Sequence, residues 1–310
     1  MNKKVIMSID AGGTKTKAAL INHNCQIVYE QVGKAGSPAV VQEKAMMNIF
    51  ELIEDVYNKT KDSYELTFIQ MGVSALSVIE DKTVFEKALE EKYNVKVSIE
   101  NDAYLALYSI IQDKFDEGLV VLAGTGSAVC GKNNKDEVLL NGGWGHLLTE
   151  DGSSYRVVRD LIVKMIDEYE NGEEICPLGK KLMKLLDVED LPRIRVFIYK
   201  TTKTKIATYS QFVSEEALKG DRDAIALLKK AGIDLAKRVV ALSKKLNFGT
   251  DGNPFAIGYR GSFITKAPFV REELENYLEE HNINFALTTT GIDPIVGGYY
   301  IAKSKGIVLE

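Results

Sequence analysis

The sequence predicts an α/β fold made of two related domains. Strand-like apolar runs at residues 5–9 and 119–123 each lead into a short glycine-threonine segment, and a second strand-like run follows each segment. A strand, a tight glycine turn and a second strand form a hairpin whose backbone N–H groups can surround a phosphate. One such hairpin in each half of the chain indicates a nucleotide held between two domains, and therefore phosphoryl transfer.

The composition is that of a folded protein large enough for two domains. A length of 310 residues is near the upper limit of one compact domain, and 45% hydrophobic with 27% charged residues is ordinary for a globular chain. A net charge of −5 argues against a large nucleic-acid-binding surface, and no apolar run approaches the roughly 20 residues of a membrane span. We therefore expect a cytoplasmic protein without nucleic-acid or membrane partners.

The first half of the chain predicts a mixed sheet covered by helices. Apolar residues recur with period two in strands and with a period near 3.6 in helices. The predicted elements are strands at 5–9, 16–21 and 26–32, a helix at 41–59, a strand at 66–73, a helix at 82–93 and a strand at 95–100. Asn101 or Asp102 would then cap a helix that runs to about residue 111. Strands and helices in this order are typical of a sheet with helices packed on it.

The second half repeats the hairpin and then becomes mostly helical. The predicted elements are strands at 119–123, 128–130 and 137–140, helices within 153–169 and 179–246, a strand at 254–257, and helices at 271–280 and from Pro294 onward. Asp221 is expected to cap the helix that follows it. We predict one domain over residues 1–117, completed by the C-terminal helix at 293–310, and a second over 118–292. Cys25, Cys130 and Cys176 have no metal-like spacing and suit a reducing compartment.

The first glycine-threonine segment carries candidate metal and phosphate ligands. Asp10 ends a strand and can hold Mg²⁺ directly or through water. Gly12 and Gly13 let the backbone approach phosphate oxygens, and Thr14 and Thr16 offer hydroxyls. Lys15 is a further candidate for a nucleotide contact. A hairpin turn with a turn-forming aspartate is the alternative interpretation. The presence of a second glycine segment in the other half of the chain favours phosphate binding over the turn interpretation.

The second segment, Gly124, Thr125, Gly126 and Ser127, is the matching phosphate candidate. From Gly126 onward the spacing is that of a P-loop until Asn133, which stands where a P-loop needs Ser or Thr for Mg²⁺. A P-loop must also open a helix, whereas this segment leads into another strand. We therefore reject the P-loop interpretation.

Asp102 is the candidate catalytic base. It stands where a strand gives way to a helix, and in a cleft it could accept the proton of an attacking hydroxyl. Aspartates at such junctions usually cap helices, and spacing alone favours the cap.

Four further segments offer substrate and nucleotide contacts. Trp144, flanked by Gly143 and Gly145, could line a sugar site, or it could be a buried anchor. Of the carboxylates at 150 and 151, one could bind substrate and the other help cap the next helix, or both could be solvated. The loop at residues 258–263 could pack against a base and ribose, or simply join a strand to a helix. Residues 291–298 fit either a close approach to nucleotide or tight helix packing.

Together these residues resemble the sugar-kinase, Hsp70 and actin superfamily, and more closely the N-acetylglucosamine kinases of the BadF/BadG/BcrA/BcrD ATPase family. The resemblance covers nearly the whole chain, and its most specific match is the run from residue 142 to residue 155. It implies two RNase H-like (actin-like ATPase) domains around an interdomain cleft that closes on ATP and a sugar. Gly261 and Ser262 match the family's adenosine motif.

The resemblance also implies a reaction and its participants. Asp102 would take the proton from the sugar's 6-hydroxyl, whose oxygen would attack the γ-phosphate of ATP. Asp10 would organise Mg²⁺, and the two glycine loops would hold the phosphates. Asn101, Asp102, Gly143, Trp144 and Gly145 would contact the sugar. We expect a homodimer that acts on a small amino sugar in amino-sugar metabolism and cell-wall recycling.

Three departures from the family pattern fall near the substrate. Glu150 replaces the family's sugar-site aspartate, Asp151 replaces its next acidic residue, and Ser37 stands where an asparagine contacts the sugar. These changes leave the sugar open between N-acetylglucosamine and N-acetylmuramic acid, with glucosamine or another hexose as the alternative. A shorter Ser37 is compatible with the lactyl group of N-acetylmuramic acid.

Two other classes share this fold. The ATPase activator of a radical dehydratase would need cysteines from two subunits to hold an iron–sulfur cluster, and the three cysteines here are scattered. A non-catalytic sugar sensor would need a DNA-reading element or partner surface. We expect none before the first strand, and the two retained aspartates favour catalysis.

Overall fold

The computed structural model describes residues 3–250, 252–288, 292–307 and 309. The chain divides into two compact units, one formed by residues up to 118 together with those from 287 onward, and one formed by residues 119–286. Each unit contains a five-stranded sheet with helices. The predicted fold class, α/β with two sheet-containing domains, is confirmed.

The sheet of the first unit has the strand order β3-β2-β1-β4-β5. Its strands are β1 (Lys3–Ala11), β2 (Thr16–Ile21), β3 (Ile27–Gly33), β4 (Tyr64–Val73) and β5 (Lys96–Asn101). β2 runs antiparallel to both β1 and β3, while β1, β4 and β5 run parallel to one another. The sheet is therefore mixed, as the sequence predicted.

The helices of the first unit cover both faces of this sheet. They are α1 (Pro38–Val41), α2 (Lys44–Thr60), α3 (Thr83–Tyr93), α4 (Asp102–Ile111) and the last helix (Gly297–Ser304). The period-two pattern of β1 explains the two layers. Val5, Met7 and Ile9 are buried with apolar residues of α2, whereas Ile6 is buried with Ile295 and other residues of the C-terminal segment.

Two predicted helices of this unit differ in detail. The predicted helix at 41–59 is interrupted, because Gln42 adopts a left-handed backbone with φ of 51° between α1 and α2. The predicted helix from Pro294 begins as a 3₁₀ turn over Pro294–Val296, in which the Asp293 carboxylate accepts from the Ile295 N–H at 3.1 Å. The last helix continues from that turn.

The second unit has the strand order β10-β9-β6-β7-β8. Its strands are β6 (Gly118–Ala123), β7 (Ser127–Lys132), β8 (Val138–Gly142), β9 (Phe255–Arg260) and β10 (Phe285–Leu287). Its helices are α5 (Ser154–Glu170), α6 (Pro177–Leu185), α7 (Ile194–Lys200), α8 (Lys203–Thr208), α9 (Ser210–Leu218), α10 (Arg222–Lys245), α11 (Ser262–Lys266) and α12 (Val270–Glu280). Asp221 caps α10 as predicted, accepting from the N–H groups of Asp223 and Ala224 at 3.1 Å each.

One loop prediction in this unit is wrong. Residues 258–260 are part of β9 and not of a loop. The ring of Tyr259 is buried in the core, and its hydroxyl donates to Glu275 at 3.0 Å, so the strand continues three residues beyond the predicted end. The loop reduces to Gly261. Among the residues that the structure describes, no helix is both long and apolar enough to cross a membrane.

Candidate active site

Two aspartates lie at one edge of the first unit's sheet. Asp10 is near the carboxyl end of β1, where it pairs with Gly72 of β4, and Gly72 pairs in turn with Glu100 of β5. Because the three strands are parallel, Asp10 and Asp102, which directly follows β5, are brought to the same edge. The carboxyl ends of parallel strands are where α/β sheets generally bind ligands.

Asp10 stands in an acidic environment. Burial, followed by the negative charges of Asp102 and Asp293, raises the pKa of Asp10 from 3.8 to about 6, and Lys15 and Lys17 oppose this rise. Lys17 is itself engaged, since its Nζ lies 2.8 Å from Asp293 and 2.9 Å from Glu30. The carboxylate of Asp10 is thus held where a negative charge is unfavourable. An oxygen-liganded cation such as Mg²⁺ fits this arrangement, because it would neutralise that charge.

Asp102 is the first residue of α4, but Asn101 caps this helix. The side-chain oxygen of Asn101 accepts from the Ala103 N–H at 3.0 Å. Burial raises the pKa of Asp102, while hydrogen bonds from the Ala103 N–H and the Ser74 hydroxyl oppose the rise. A half-buried carboxylate with a raised pKa suits a general base, since its proton affinity is closer to the working pH.

The first glycine loop is short, and its tip is exposed. The Gly12 N–H donates to the Lys15 carbonyl at 3.0 Å, which closes the turn, and the side chains of Thr14 and Lys15 are exposed. Gly12 also accepts at its carbonyl from the Gly36 N–H at 3.0 Å. This contact anchors the segment that carries Ser37.

Ser37 is buried, and its hydroxyl donates to the Ser74 carbonyl at 3.2 Å. Ser74 is the residue whose hydroxyl bonds to Asp102. Ser37 therefore belongs to the same neighbourhood of the first unit as the candidate base. In this structure the Ser37 hydroxyl donates its hydrogen bond to a backbone carbonyl.

The second glycine loop joins β6 to β7 and is held by hydrogen bonds with residues 151 and 154. The Gly124 N–H donates to the Gly126 carbonyl at 2.9 Å, and Ser154 donates twice to the Gly124 carbonyl, from its N–H at 2.9 Å and its hydroxyl at 2.8 Å. The Ser127 hydroxyl donates to the Asp151 carbonyl at 2.6 Å. These contacts fix the loop against the start of α5, and Thr125 lies at its centre.

Glu150 lies directly against this loop. Its side chain is only 4% exposed, one oxygen accepts from the Ser127 N–H at 2.8 Å, and the other is 2.5 Å from the Nζ of Lys203. A Cβ placed on Gly126 would come within 2.7 Å of the carboxylate. The sequence predicted a sugar contact for Glu150, and here both of its oxygens bond to protein groups.

Asp151 belongs to a separate cluster. It forms an ion pair with Arg156 at 2.6 Å and accepts from the Thr149 hydroxyl at 2.7 Å. Partial burial opposes ionisation, but Thr149, Arg156 and Arg238 together hold the pKa of Asp151 below its usual range. The suggestion that one of the two carboxylates caps the next helix is wrong, because Ser153 accepts from the Arg156 N–H and caps α5.

Arg238 of α10 connects the second glycine loop to its neighbours. Its guanidinium donates to the Ser127 carbonyl at 3.3 Å and to the Thr149 hydroxyl at 3.4 Å. A Cβ on Gly142 would come within 2.3 Å of the same guanidinium. A glycine is favoured at 142 because its φ is 97°, in the left-handed region.

Trp144 stands on the surface and is not a buried anchor. Its side chain is 69% exposed, and Gly143 and Gly145 on either side have φ of 74° and 92°. The Gly143 N–H donates to the Ser127 carbonyl at 3.0 Å, which ties this loop to the second glycine loop. An indole presented in this way offers an apolar face and a polar edge to a ligand.

A cavity of about 570 Å³ opens in the second unit. It is lined by Thr125 and Ser154 on the side of the glycine loop and by Ser262 and Lys266 of α11 on the other. Gly261, with φ of 100°, is needed before α11 because a Cβ there would come within 2.4 Å of the Ala123 carbonyl. The cavity joins the predicted phosphate loop to the predicted adenosine motif.

The structure thus groups the candidates by unit. Asp10, the loop at 12–15, Ser37, Asn101 and Asp102 lie in the first unit, and the remaining candidates lie in the second. Sequence reasoning missed Ser74, Asp293, Lys203 and Arg238. Each is brought to the site by contacts over long sequence separations, so no local pattern marks it.

The comparisons identify the family. The sequence model that describes the BadF/BadG/BcrA/BcrD ATPase family matches residues 8–302 of this chain. The chain belongs to this family, as the sequence resemblance predicted.

Two curated relatives match almost end to end. An N-acetylmuramic acid/N-acetylglucosamine kinase of Clostridium acetobutylicum is 25% identical over 97% of this chain and 99% of its own length. An N-acetyl-D-glucosamine kinase of Dictyostelium discoideum is 26% identical over 98% of this chain and 99% of its own length. A solved ROK family glucokinase from Streptomyces griseus, in complex with glucose and AMPPNP, has the same fold. It has a TM-score of 0.58 and 15% identity, with 97% of this chain and 99% of that chain covered.

Proposed function

We propose that this protein is an ATP-dependent amino-sugar kinase that transfers the γ-phosphate of ATP to the 6-hydroxyl of N-acetylglucosamine, N-acetylmuramic acid or both. The relatives that match along the full length bear the names of amino-sugar kinases. The observation that carries the proposal is the pair of carboxylates at one sheet edge, Asp10 and Asp102, each with a raised pKa. A buried acidic pair of this kind is typical of a functional site.

Asp102 acts as the general base in this proposal. Its raised pKa lets it accept the proton of the 6-hydroxyl as the oxygen attacks the γ-phosphorus. Asn101 caps the start of α4, so the helix does not need Asp102 as its N-cap residue. The bond from the γ-phosphorus to the bridging oxygen of ADP breaks as the new bond forms.

Asp10 would hold Mg²⁺, directly or through water. Bound Mg²⁺ would supply charge neutralisation for the phosphate oxygens. The acidic surroundings of Asp10 support this assignment, because the ionised form is disfavoured without a cation. Backbone groups of Gly12 and Gly13, with the exposed Thr14 and Lys15, would contact phosphate oxygens.

The second unit would supply the remaining nucleotide contacts. The loop at 124–127 would bind phosphate oxygens, and the 570 Å³ cavity beside it would take the nucleoside, with Gly261 and Ser262 on its wall. The cavity volume is within the range of small-molecule sites. ATP binding agrees with membership of an ATPase family.

The exposed Trp144 and its flanking glycines would contact the sugar. An aromatic face can pack on the apolar face of a pyranose while backbone groups bond to its hydroxyls. Ser37 is shorter than the asparagine expected there, which leaves more space for a substituent at C3. Because of this space, N-acetylmuramic acid is a candidate substrate as well as N-acetylglucosamine.

A coupled assay of ADP release tests the proposal. Purified protein with ATP and Mg²⁺ is given N-acetylglucosamine, N-acetylmuramic acid, glucosamine or glucose in turn. We expect sugar-stimulated turnover with at least one of the two N-acetylated sugars, and the greatest kcat/KM among those. Turnover only with glucose would favour the hexokinase alternative, and folded protein without any sugar-stimulated turnover would refute the proposal.

A further inference from the structure

We propose that Lys203 is a positioning residue for nucleotide binding, which acts by neutralising Glu150 beneath the second glycine loop. The inference rests on the proposed function, because it concerns how that loop accepts the phosphates of a nucleotide. Lys203 is the first residue of α8, and its Nζ is 2.5 Å from one carboxylate oxygen of Glu150. It acts through Glu150, so it is not itself a catalytic residue.

The side chain of Glu150 helps to hold the loop. It accepts from the Ser127 N–H at 2.8 Å, and the absence of a side chain on Gly126 lets it approach the loop closely. A backbone N–H in a buried turn requires an acceptor, and a carboxylate is a strong one. The cost is a negative charge at the place where phosphate oxygens are expected to bind.

That charge needs a partner. The side chain of Glu150 is 4% exposed, so water screens it poorly, and a buried unpaired carboxylate is strongly unfavourable. An unneutralised carboxylate would also repel a polyanion at the same loop. Lys203, whose side chain is 25% exposed, removes both problems.

Two other cations near the second glycine loop are paired with Asp151 and not with Glu150. Arg238 donates to the Ser127 carbonyl and lies 3.7 Å from Asp151, whose closer partner is Arg156 at 2.6 Å. Glu150 and Asp151 therefore have separate counterions. Loss of Lys203 would leave Glu150 without the cation that is paired with it here.

The position of α8 links this pair to the nucleotide cavity. Thr204, the residue after Lys203, lines the same 570 Å³ cavity as Thr125 of the glycine loop. The start of α8 thus borders both the carboxylate beneath the loop and the space proposed for the nucleoside. A change at Lys203 should therefore affect the nucleotide more than the sugar.

The test measures binding of Mg-ADP by calorimetry, without any sugar. The variants are Lys203→Met, Glu150→Gln, the double variant, Lys203→Arg, and Lys200→Met as a control that removes an exposed charge from the neighbouring helix. We expect Lys203→Met to weaken ADP binding at least about tenfold, as loss of a buried charge partner usually does. Lys203→Arg and Lys200→Met should stay within about threefold of the wild type. Glu150→Gln, whose amide oxygen can still accept from the Ser127 N–H, should weaken ADP binding less than Lys203→Met does.

The double variant is decisive, because it removes the buried charge together with its counterion. It should recover most of the affinity lost in Lys203→Met, and it should do so even if that single variant folds poorly. In turnover, Lys203→Met should raise the KM for ATP while the KM for sugar changes less than about twofold. A thermal melt checks that each variant is folded.

Three results would overturn the inference. Lys203→Met could bind ADP as tightly as Lys200→Met, or the double variant could remain as weak as Lys203→Met. Wild-type protein that does not bind Mg-ADP would overturn the proposed function together with this inference. If the wild type binds Mg-ADP and the variants bind it with unchanged affinity, only this inference is overturned and the proposed function is not.

Discussion

Replacing Asp10 with asparagine should stabilise the protein at neutral and alkaline pH. Burial and the charges of Asp102 and Asp293 raise the pKa of Asp10 from 3.8 to about 6, so the folded protein holds this proton more tightly than the unfolded chain does. Above pH 6 the folded state carries an unfavourable ionised carboxylate. Asparagine has nearly the same shape and no charge, and it removes that cost.

The size of the effect follows from the pKa. A rise from 3.8 to about 6 corresponds to about 3 kcal/mol of stability at pH 8, at roughly 1.4 kcal/mol for each pH unit. The cost falls as the pH is lowered through 6 and disappears near 3.8, and at pH 5 about half of it remains. The stabilisation by Asp10→Asn should therefore be about twice as large at pH 8 as at pH 5.

Urea denaturation and thermal melts at the two pH values measure this difference. Because two units can unfold separately, the transition of the first unit is followed with its own spectroscopic probe. Asp62→Asn, which changes an exposed aspartate of the same unit, is the matched control and should change stability by less than about 0.5 kcal/mol. A destabilising Asp10→Asn at pH 8, or a gain independent of pH, would refute the electrostatic reasoning.

Magnesium should reduce the difference in stability between the two proteins. A cation that binds the ionised Asp10 stabilises the folded state by mass action, and the asparagine variant lacks that carboxylate. Millimolar Mg²⁺ should therefore raise the melting temperature of the wild type at pH 8 more than that of Asp10→Asn. An equal rise in both would exclude Asp10 as a metal ligand.

Three further substitutions test the remaining site residues. Asp102→Asn should keep the fold and sugar binding but lower kcat about a hundredfold or more, the usual scale for a lost general base, and near-normal turnover would contradict its role. Trp144→Ala should change stability by less than about 0.5 kcal/mol, because the side chain is 69% exposed, yet raise the KM for sugar; an unchanged KM would remove it from the sugar site. Gly261→Ala should destabilise the second unit by about 1–3 kcal/mol, because residue 261 has φ of 100° and its Cβ would lie 2.4 Å from the Ala123 carbonyl oxygen. A variant as stable as the wild type would contradict this close contact.

The strands and the two glycine loops could be predicted because their signals are local. Alternation along β1 marks the two faces of its sheet, and the glycines after β1 and β6 mark the turns. Asp10 is predicted to be a metal ligand because it stands at the end of such a strand. The choice between cap and base at Asp102 could not be made from spacing. It depends on which residue takes the N-cap position of α4, and in the structure Asn101 does so.

The supporting residues could not be predicted from sequence. Lys203 meets Glu150 across 53 residues, and Arg238 meets Ser127 across 111 residues, so neither pair lies in a recognisable spacing. The exposure of Trp144 was also undecided, because three flanking glycines suit both a buried and an exposed indole. Tyr259 was predicted to lie in a loop, whereas burial of its ring in the core extends β9.

The most direct test of the central claim identifies the phosphorylated atom of the product. ATP, Mg²⁺ and N-acetylglucosamine or N-acetylmuramic acid are incubated with the protein, and the product is examined by phosphorus and proton NMR, with the 6-deoxy sugar as the matched substrate. The account predicts a phosphomonoester at C6 that requires Asp102 and does not form from the 6-deoxy sugar. A phosphate at C1, or ADP release at the same rate with the 6-deoxy sugar, would contradict it.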